Sequence, residues 1–174
     1  MILESKFNLN TFTYSKTAID KGIDNTEMTD EVFENLHKLH ELLINIQIRI
    51  SIKENKAIPI KINSGYRCPE LNKLIGGVPT SEHVCRNHTA AADTIAIGIS
   101  LERYFELLKQ LAKEKVLVFG QVILEFGKHP ETNTDDWVHL SLPTERHTNE
   151  FMRSPIMKGD GANVNGKRQY IKEG

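Results

Sequence analysis

Residues 81–97 read SEHVCRNHTAAADTIAI, and this stretch decides how the chain must fold. A histidine stands near its beginning, and its end is an apolar run that starts at Asp93, which is typical of a buried strand. An unpaired carboxylate is costly to bury, and ligation of a metal ion would offset that cost. His83 and Asp93 are therefore candidate metal ligands that the fold has to bring together.

A second candidate histidine, His139, lies in a predicted strand over residues 137–142. Because side chains alternate along a strand, His139 shares a face with Trp137 and Ser141. Catalytic zinc is usually held by three protein ligands, and two histidines with one carboxylate suit this metal. The sequence therefore predicts a zinc site formed by His83, Asp93 and His139.

Hydrophobic periodicity predicts two long helices. Thr29 can cap the first, whose apolar stripe runs from Val32 to Ile50 before a polar break at residues 51–56. Ser100 can cap the second. A short helix is predicted over residues 69–75, and four strands are predicted over residues 58–62, 93–97, 116–126 and 137–142. Little regular structure is expected in residues 1–28, and residues 127–135 are expected to be a polar hairpin loop.

Size and composition predict one globular domain, residues 1–157, followed by a loosely held polar tail, residues 158–174. The formal net charge of −1 gives no global basic field, so nucleic acid is not an expected partner. No apolar run approaches the roughly 20 residues that cross a bilayer. No secretory signal is expected at the N-terminus, which predicts a cytoplasmic location at synthesis, and the chain is expected to be a monomer.

The two cysteines, Cys68 and Cys85, do not make a disulfide framework. Ordinary thiols are the favoured interpretation. A disulfide between them and a role for Cys85 as a zinc ligand stay open.

Together these motifs resemble the zinc D-alanyl-D-alanine peptidases, a group that includes D,D-carboxypeptidases, D,D-dipeptidases and phage L-alanyl-D-glutamate endolysins. The family pattern is Ser-x-His-x-x-Gly-x-Ala-x-Asp, followed later by a carboxylate-x-x-His with an aromatic residue between. Residues 64–72, SGYRCPELN, and residues 76–83, GGVPTSEH, look like the carboxypeptidase-type branch. The resemblance implies an α+β fold of the Hedgehog and D,D-peptidase type, a small, mainly antiparallel sheet with helices on one face and a zinc cleft on the other.

The resemblance also implies roles for individual residues. It makes His83, Asp93 and His139 the zinc ligands and Asp136 the general base that moves a proton from the attacking water to the leaving amine. It makes Arg67 the residue that contacts substrate or stabilises the developing oxyanion.

Ser81 and Tyr66 are expected to line the substrate pocket. A solvated loop carboxylate is the other interpretation of Asp136. Glu125 is a rival general base on an adjacent strand, for which a structural or supporting role is favoured.

One departure from the family pattern lies between the first histidine and the aspartate. This chain has nine residues there, 84–92, which is three more than the pattern, and Thr89 stands where glycine is expected. Since threonine resists a positive φ, the inserted loop must turn in another way. Three roles for His88 stay open: replacing His83 as a ligand, blocking the open position of the metal, or facing solvent.

The function that follows from the resemblance is a zinc peptidase that hydrolyses peptidoglycan stem peptides at the cell wall. The alternative is a catalytically inactive relative that binds the cell wall or serves as a phage structural module.

Overall fold

The computed structural model describes residues 1–127, 136–154 and 170–173 in full, and the backbone alone at residues 128, 135, 163–164 and 167–168. Helices and strands are mixed along the chain, which confirms the predicted α+β class. The helices are α1 (Leu9–Thr13), α2 (Lys16–Lys21), α3 (Asp30–Glu54), α4 (Pro69–Leu74) and α5 (Leu101–Lys113), and a 3-10 turn lies at Glu82–Val84. The strands are β1 (Ile60–Ser64), β2 (Ala91–Ala96), β3 (Gln121–Lys128), β4 (Asp135–Ser141), β5 (Glu150–Arg153), β6 (Asn163–Val164), β7 (Lys167–Arg168) and β8 (Ile171–Lys172).

Six strands form one open sheet in the order β1-β2-β4-β3-β5-β8. Every neighbouring pair is antiparallel except β3 and β5, which are parallel. The prediction of a mainly antiparallel sheet is therefore confirmed. Strands β6 and β7 pair with each other in a separate two-stranded sheet.

The hydrophobic core lies between one face of this sheet and the two long helices. On α5, Tyr104 is fully buried, and its hydroxyl lies 3.2 Å from Oγ1 of Thr94 on β2. Burying one large apolar side chain stabilises a fold by about 1.5–3 kcal/mol, so the many side chains of this interface contribute strongly to stability. The core joins the predicted stripe of α3 and the apolar face of α5 to inward-facing strand residues: Val32, Leu36, Leu39, Leu43, Ile46, Ile50, Phe105, Leu108, Leu111, Val122, Leu124, Val138 and Leu140.

Among the described residues, every helix is too short or too polar to traverse a lipid bilayer.

Local signals place the beginnings of both long helices correctly. The side chain of Thr29 accepts a hydrogen bond from the backbone N–H of Val32, and Ser100 caps α5 in the same way. The predicted polar break after Ile50 is wrong in position, since α3 continues to Glu54. The hydroxyl of Ser51 donates to the carbonyl of Gln47, one turn earlier, and the helix ends only at Asn55, whose φ of 50° lies in the left-handed region.

The N-terminal 28 residues contain more regular structure than predicted. They form α1 and α2, capped by Asn8 and Ser15, and Ile2 makes an isolated bridge with Lys61 beside β1. These helices have five and six residues, which is too short to show an apolar period.

The last part of the chain also differs from the prediction. Strand β3 begins at Gln121 rather than at residue 116, and the segment after Pro143, expected to be irregular, contributes β5. Within the predicted loose tail, β8 pairs with β5 and Glu173 contacts Lys109. Strands β3 and β4 pair as a hairpin would require, and residues 129–134 of the predicted loop lie outside the described residues.

Glu150 ties β8 to the sheet, and this contact generates a pH prediction. Its carboxylate accepts from Lys172 and Gln121 and lies 2.6 Å from Nδ1 of His147, and these contacts lower the pKa of Glu150 from 4.5 to about 2. The stabilisation is therefore complete above pH 4.5 and is lost as the pH falls through about 2. In Glu150→Gln, the free energy of unfolding should fall less steeply across this range than in the parent, as measured by urea denaturation.

Glu145→Gln is the matched control, because Glu145 is an exposed carboxylate in the preceding loop. It should follow the parent in acid. A parent-like slope in Glu150→Gln would contradict the prediction.

Candidate metal centre

The three predicted ligands meet on the face of the sheet opposite the two long helices, α3 and α5. Asp93 on β2 and His139 on β4 are directly paired in the register of the two strands, so their side chains share a face. Oδ1 of Asp93 lies 3.1 Å from Nδ1 of His139 and 3.2 Å from Nε2 of His83. One ligand atom from each of the three residues lies within 4.8 Å of the others, and all three residues are buried. We call these three residues the metal cluster.

His83 reaches the cluster because the 3-10 turn is fastened to the loop that follows β1. Nδ1–H of His83 donates to the carbonyl of Gly65 at 2.7 Å, and the backbone N–H of Arg67 donates to the carbonyl of His83 at 2.9 Å. Helix α1 packs tightly on this loop, since a Cβ at Gly65 would lie 2.6 Å from the carbonyl oxygen of Phe12. Glycine is therefore required at residue 65 by close backbone approach.

Arg67 holds the second oxygen of Asp93. Its Nη2 donates to Asp93 Oδ2 at 2.8 Å, and its Nε donates to the hydroxyl of Ser64 at 2.9 Å. The guanidinium is buried, and its pairing leaves Oδ1 of Asp93 directed toward the two imidazoles. Arg67 therefore orients a candidate ligand, and its expected contact with substrate stays a prediction.

The hydrogen bonds of the cluster call for a cation at its centre. Because Nδ1–H of a neutral His83 is donated to Gly65, its Nε2 faces Asp93 Oδ1 as an acceptor against an acceptor. Only a proton or a metal ion between these atoms removes the repulsion. Glu82 also contacts the cluster, since its Oε2 lies 3.4 Å from Nε2 of His139. With neutral imidazoles, the charges of Arg67, Asp93 and Glu82 therefore leave one net negative charge, and the nitrogen and oxygen donors suit Zn²⁺.

The surroundings shift the pKa values of the two histidines in opposite directions. Burial lowers the pKa of His83, and the positive charge of Arg67 lowers it further. Burial alone would also lower the pKa of His139, but hydrogen bonds to Asp93 and Glu82 outweigh it and raise the pKa to about 9. In the metal-free protein, a proton on His139 therefore supplies positive charge that a bound metal ion would otherwise supply.

The inserted loop turns through three residues in the left-handed region. Cys85, Asn87 and His88 have φ values of 57°, 56° and 61°, whereas Thr89 is not among the residues with positive φ. The expectation that the loop turns without Thr89 is therefore confirmed. The side chain of His88 is exposed, and its backbone N–H donates to Glu31, so within the described chain His83 and not His88 joins the cluster.

Both cysteines are buried free thiols, so the open alternative of a disulfide is not supported. The thiol of Cys85 donates to the carbonyl of His83 at 3.4 Å, and burial raises the pKa of Cys85 to about 12. A thiol that stays protonated is a poor metal ligand, and Cys85 is not part of the cluster. Cys68 caps α4, where its sulfur accepts from the backbone N–H of Leu71.

The two candidate bases lie on neighbouring strands. Asp136 has a φ of 48°, and its Oδ1 accepts from the backbone N–H of Gly127 at 2.9 Å across a bulge between β3 and β4. Glu125 is buried and pairs with Trp137, so its side chain is on the same face as His139. Neither carboxylate belongs to the cluster, and their catalytic roles stay predictions.

The expected pocket residues hold the loop and the 3-10 turn in place. The hydroxyl of Tyr66 donates to the carbonyl of Glu27, and burial raises the pKa of Tyr66 to about 12. The hydroxyl of Ser81 accepts from the backbone N–H of His83. Contact of Tyr66 or Ser81 with a substrate stays a prediction.

Sequence reasoning missed two residues that shape the site. Buried Asn25 donates to the carbonyls of Thr13 and Tyr66 and accepts from the backbone N–H of Cys68, which pins the loop after β1. Glu82 places Oε2 3.4 Å from Nε2 of His139. A single asparagine in a turn-rich segment gives no distinctive signal, whereas the position of Glu82 beside His83 could have drawn attention to it.

Comparison with known proteins gives one match. The profile of the family described as Peptidase M15 matches residues 5–140, a range that contains the entire metal cluster. None of the curated proteins or solved structures compared with the chain matches it.

The cluster predicts which histidine binds metal. His83→Ala removes a nitrogen donor and should lose most of the zinc, which we expect at about one ion per chain in the parent. His88→Ala is the matched control and should keep the zinc content of the parent, because His88 faces solvent. Elemental analysis after dialysis measures the content, and loss of zinc from His88→Ala alone would reverse the assignment.

The pairing of Arg67 with Asp93 predicts an effect on metal affinity. Arg67→Lys keeps the charge but cannot bond Asp93 and Ser64 in the same planar geometry. Residues that support metal ligands typically contribute 10- to 100-fold to affinity, so zinc binding should weaken by about that factor. Competition with a chromophoric chelator measures it, with exposed Arg86→Lys as the control. An unchanged affinity in Arg67→Lys would show that Asp93 needs no such orientation.

Proposed function

The chain belongs to the Peptidase M15 family, and on that premise we propose that it is a zinc-dependent peptidase that hydrolyses peptidoglycan stem peptides. The observation that carries the proposal is the buried cluster of His83, Asp93 and His139 in a chain of a peptidase family. The reaction would be that of a D,D-carboxypeptidase or of an endolysin-like endopeptidase.

The cluster residues supply donors that fit the metal. His83 offers Nε2, His139 offers Nδ1 and Asp93 offers Oδ1, while Arg67 holds the other oxygen of Asp93. When bound, zinc acts as a Lewis acid that lowers the pKa of a water molecule and polarises the scissile carbonyl.

Asp136 is the general base of this proposal. In a regular strand, residues three apart point to opposite faces, which would direct Asp136 away from the face of His139. Asp136 lies opposite a bulge in β3, and its own left-handed φ departs from the extended geometry on which that alternation depends; the hydrogen bond from Gly127 anchors the carboxylate. Asp136 would take a proton from the attacking water and deliver it to the leaving amine.

Substrate cleavage tests the proposal directly. The zinc-loaded protein is incubated with the pentapeptide L-Ala–D-Glu–L-Lys–D-Ala–D-Ala and with purified cell walls, and products are identified by mass spectrometry. Release of D-alanine would indicate carboxypeptidase action, whereas cleavage after L-alanine would indicate endolysin-like action. Chelation should abolish either activity, and zinc should restore it. Zinc binding without turnover would contradict the proposal and favour the non-catalytic, wall-binding relative.

A pair of isosteric variants tests the identity of the base. Asp136→Asn should lower kcat by about 10²- to 10⁴-fold, the usual contribution of a general base, without loss of zinc. Glu125→Gln removes the rival carboxylate with the same change in charge and should retain most of the activity. Steady-state kinetics with metal analysis of both proteins measures this, and the opposite pattern would assign the base to Glu125.

A further inference from the structure

We propose that Glu82 is a positioning residue whose carboxylate holds the Nε2–H group of His139, so that the ring presents Nδ1 to the metal. This inference rests on the proposed function, because it concerns the metal of that same site. Glu82 lies between two residues of the Ser81-to-His83 motif and is not itself one of the three candidate ligands.

The geometry places the two ring nitrogens of His139 against two different carboxylates. Nδ1 lies 3.1 Å from Asp93 Oδ1 at the centre of the cluster, and Nε2 lies 3.4 Å from Glu82 Oε2 on the outer side. A neutral imidazole carries a hydrogen on only one nitrogen. If that hydrogen were on Nδ1, it would occupy the position of the metal, so an acceptor at Nε2 favours the tautomer that can bind.

The carboxylate of Glu82 is itself held in place. It accepts a hydrogen bond from Ser141, whose oxygen accepts from the backbone N–H of Gln121 at 2.9 Å. The hydroxyl hydrogen of Ser141 is therefore directed to Glu82. Since Ser141 is fully buried on β4, two residues after His139, one strand carries both the candidate ligand and a group that orients its partner.

Glu82 also links the two histidines of the cluster through the backbone. It precedes His83 in the 3-10 turn, so a three-residue segment presents one candidate ligand and orients another. The ring centroids of His83 and His139 lie 5.1 Å apart in an edge-to-face arrangement. Residues that hold the outer nitrogen of a metal-bound histidine commonly fix its orientation in this way.

Two variants of Glu82 separate hydrogen bonding from charge. Glu82→Gln removes the charge but keeps an oxygen that can accept from Nε2–H, whereas Glu82→Ala removes both. We expect zinc affinity to fall by about 10- to 100-fold in Glu82→Ala and by clearly less in Glu82→Gln. Competition with a chromophoric chelator measures affinity, and Glu70→Gln and Glu70→Ala serve as controls at an exposed glutamate on α4.

Long-range ¹H–¹⁵N NMR of the zinc-loaded protein identifies the tautomer of His139 directly. This test does not depend on the affinity measurement, and it does not require the alanine variant to fold. The parent and Glu82→Gln should show His139 protonated at Nε2 and bound to metal through Nδ1. Metal bound at Nε2, an unchanged affinity in Glu82→Ala, or equal weakening in both variants would overturn the inference. Failure of the parent to bind zinc would instead defeat the proposed function and this inference together, whereas zinc-dependent cleavage with an indifferent Glu82 would defeat this inference alone.

Discussion

Burial of the Asp93 carboxylate is the constraint on which the rest of the site depends. Only 3% of Asp93 is exposed, and an uncompensated charge at such a depth costs several kcal/mol, of the order of 3–5 for a broken buried pair. Arg67 and His139 compensate the charge, and Nε2 of His83 lies 3.2 Å from the same carboxylate; the three residues are on three separate segments. The carboxylate therefore joins the loop after β1, the 3-10 turn and β4, and the same contacts arrange the donors for a metal ion.

The two faces of the sheet have different roles: one packs against the long helices and forms the core, and the other carries the candidate metal site. On β2 and β4, Thr94 and Val138 point toward the helices, whereas the alternate residues Asp93 and His139 point toward the site. Because alternation is a property of the strand, the polar cluster can be assembled without interrupting the apolar core. The left-handed φ of Asp136, opposite a bulge in β3, is the exception, and it lies where a carboxylate is proposed to act.

Elements that depend on interactions between residues close in sequence were predicted well, whereas elements that depend on contacts with distant segments were not. Helices α3 and α5 were predicted because a cap and an apolar stripe are contained within a few turns of sequence. The short helices α1 and α2 and the strand β5 were missed, since their stability comes from packing against distant segments rather than from a local pattern. Helix α3 passes the predicted break and ends at Asn55 in the left-handed region, so the mostly polar residues 51–54 do not by themselves end the helix.

The sequence by itself determined which donors are available, their order along the chain, and the strand that carries Asp93, because these depend on residue type and local period. Only the tertiary structure decided that His83 rather than His88 joins the cluster, that Arg67 bonds the second oxygen of Asp93, and that Glu82 faces His139. The physical reason is that these contacts join segments far apart in the chain, and their geometry depends on strand order, on the 3-10 turn and on close backbone approach at Gly65.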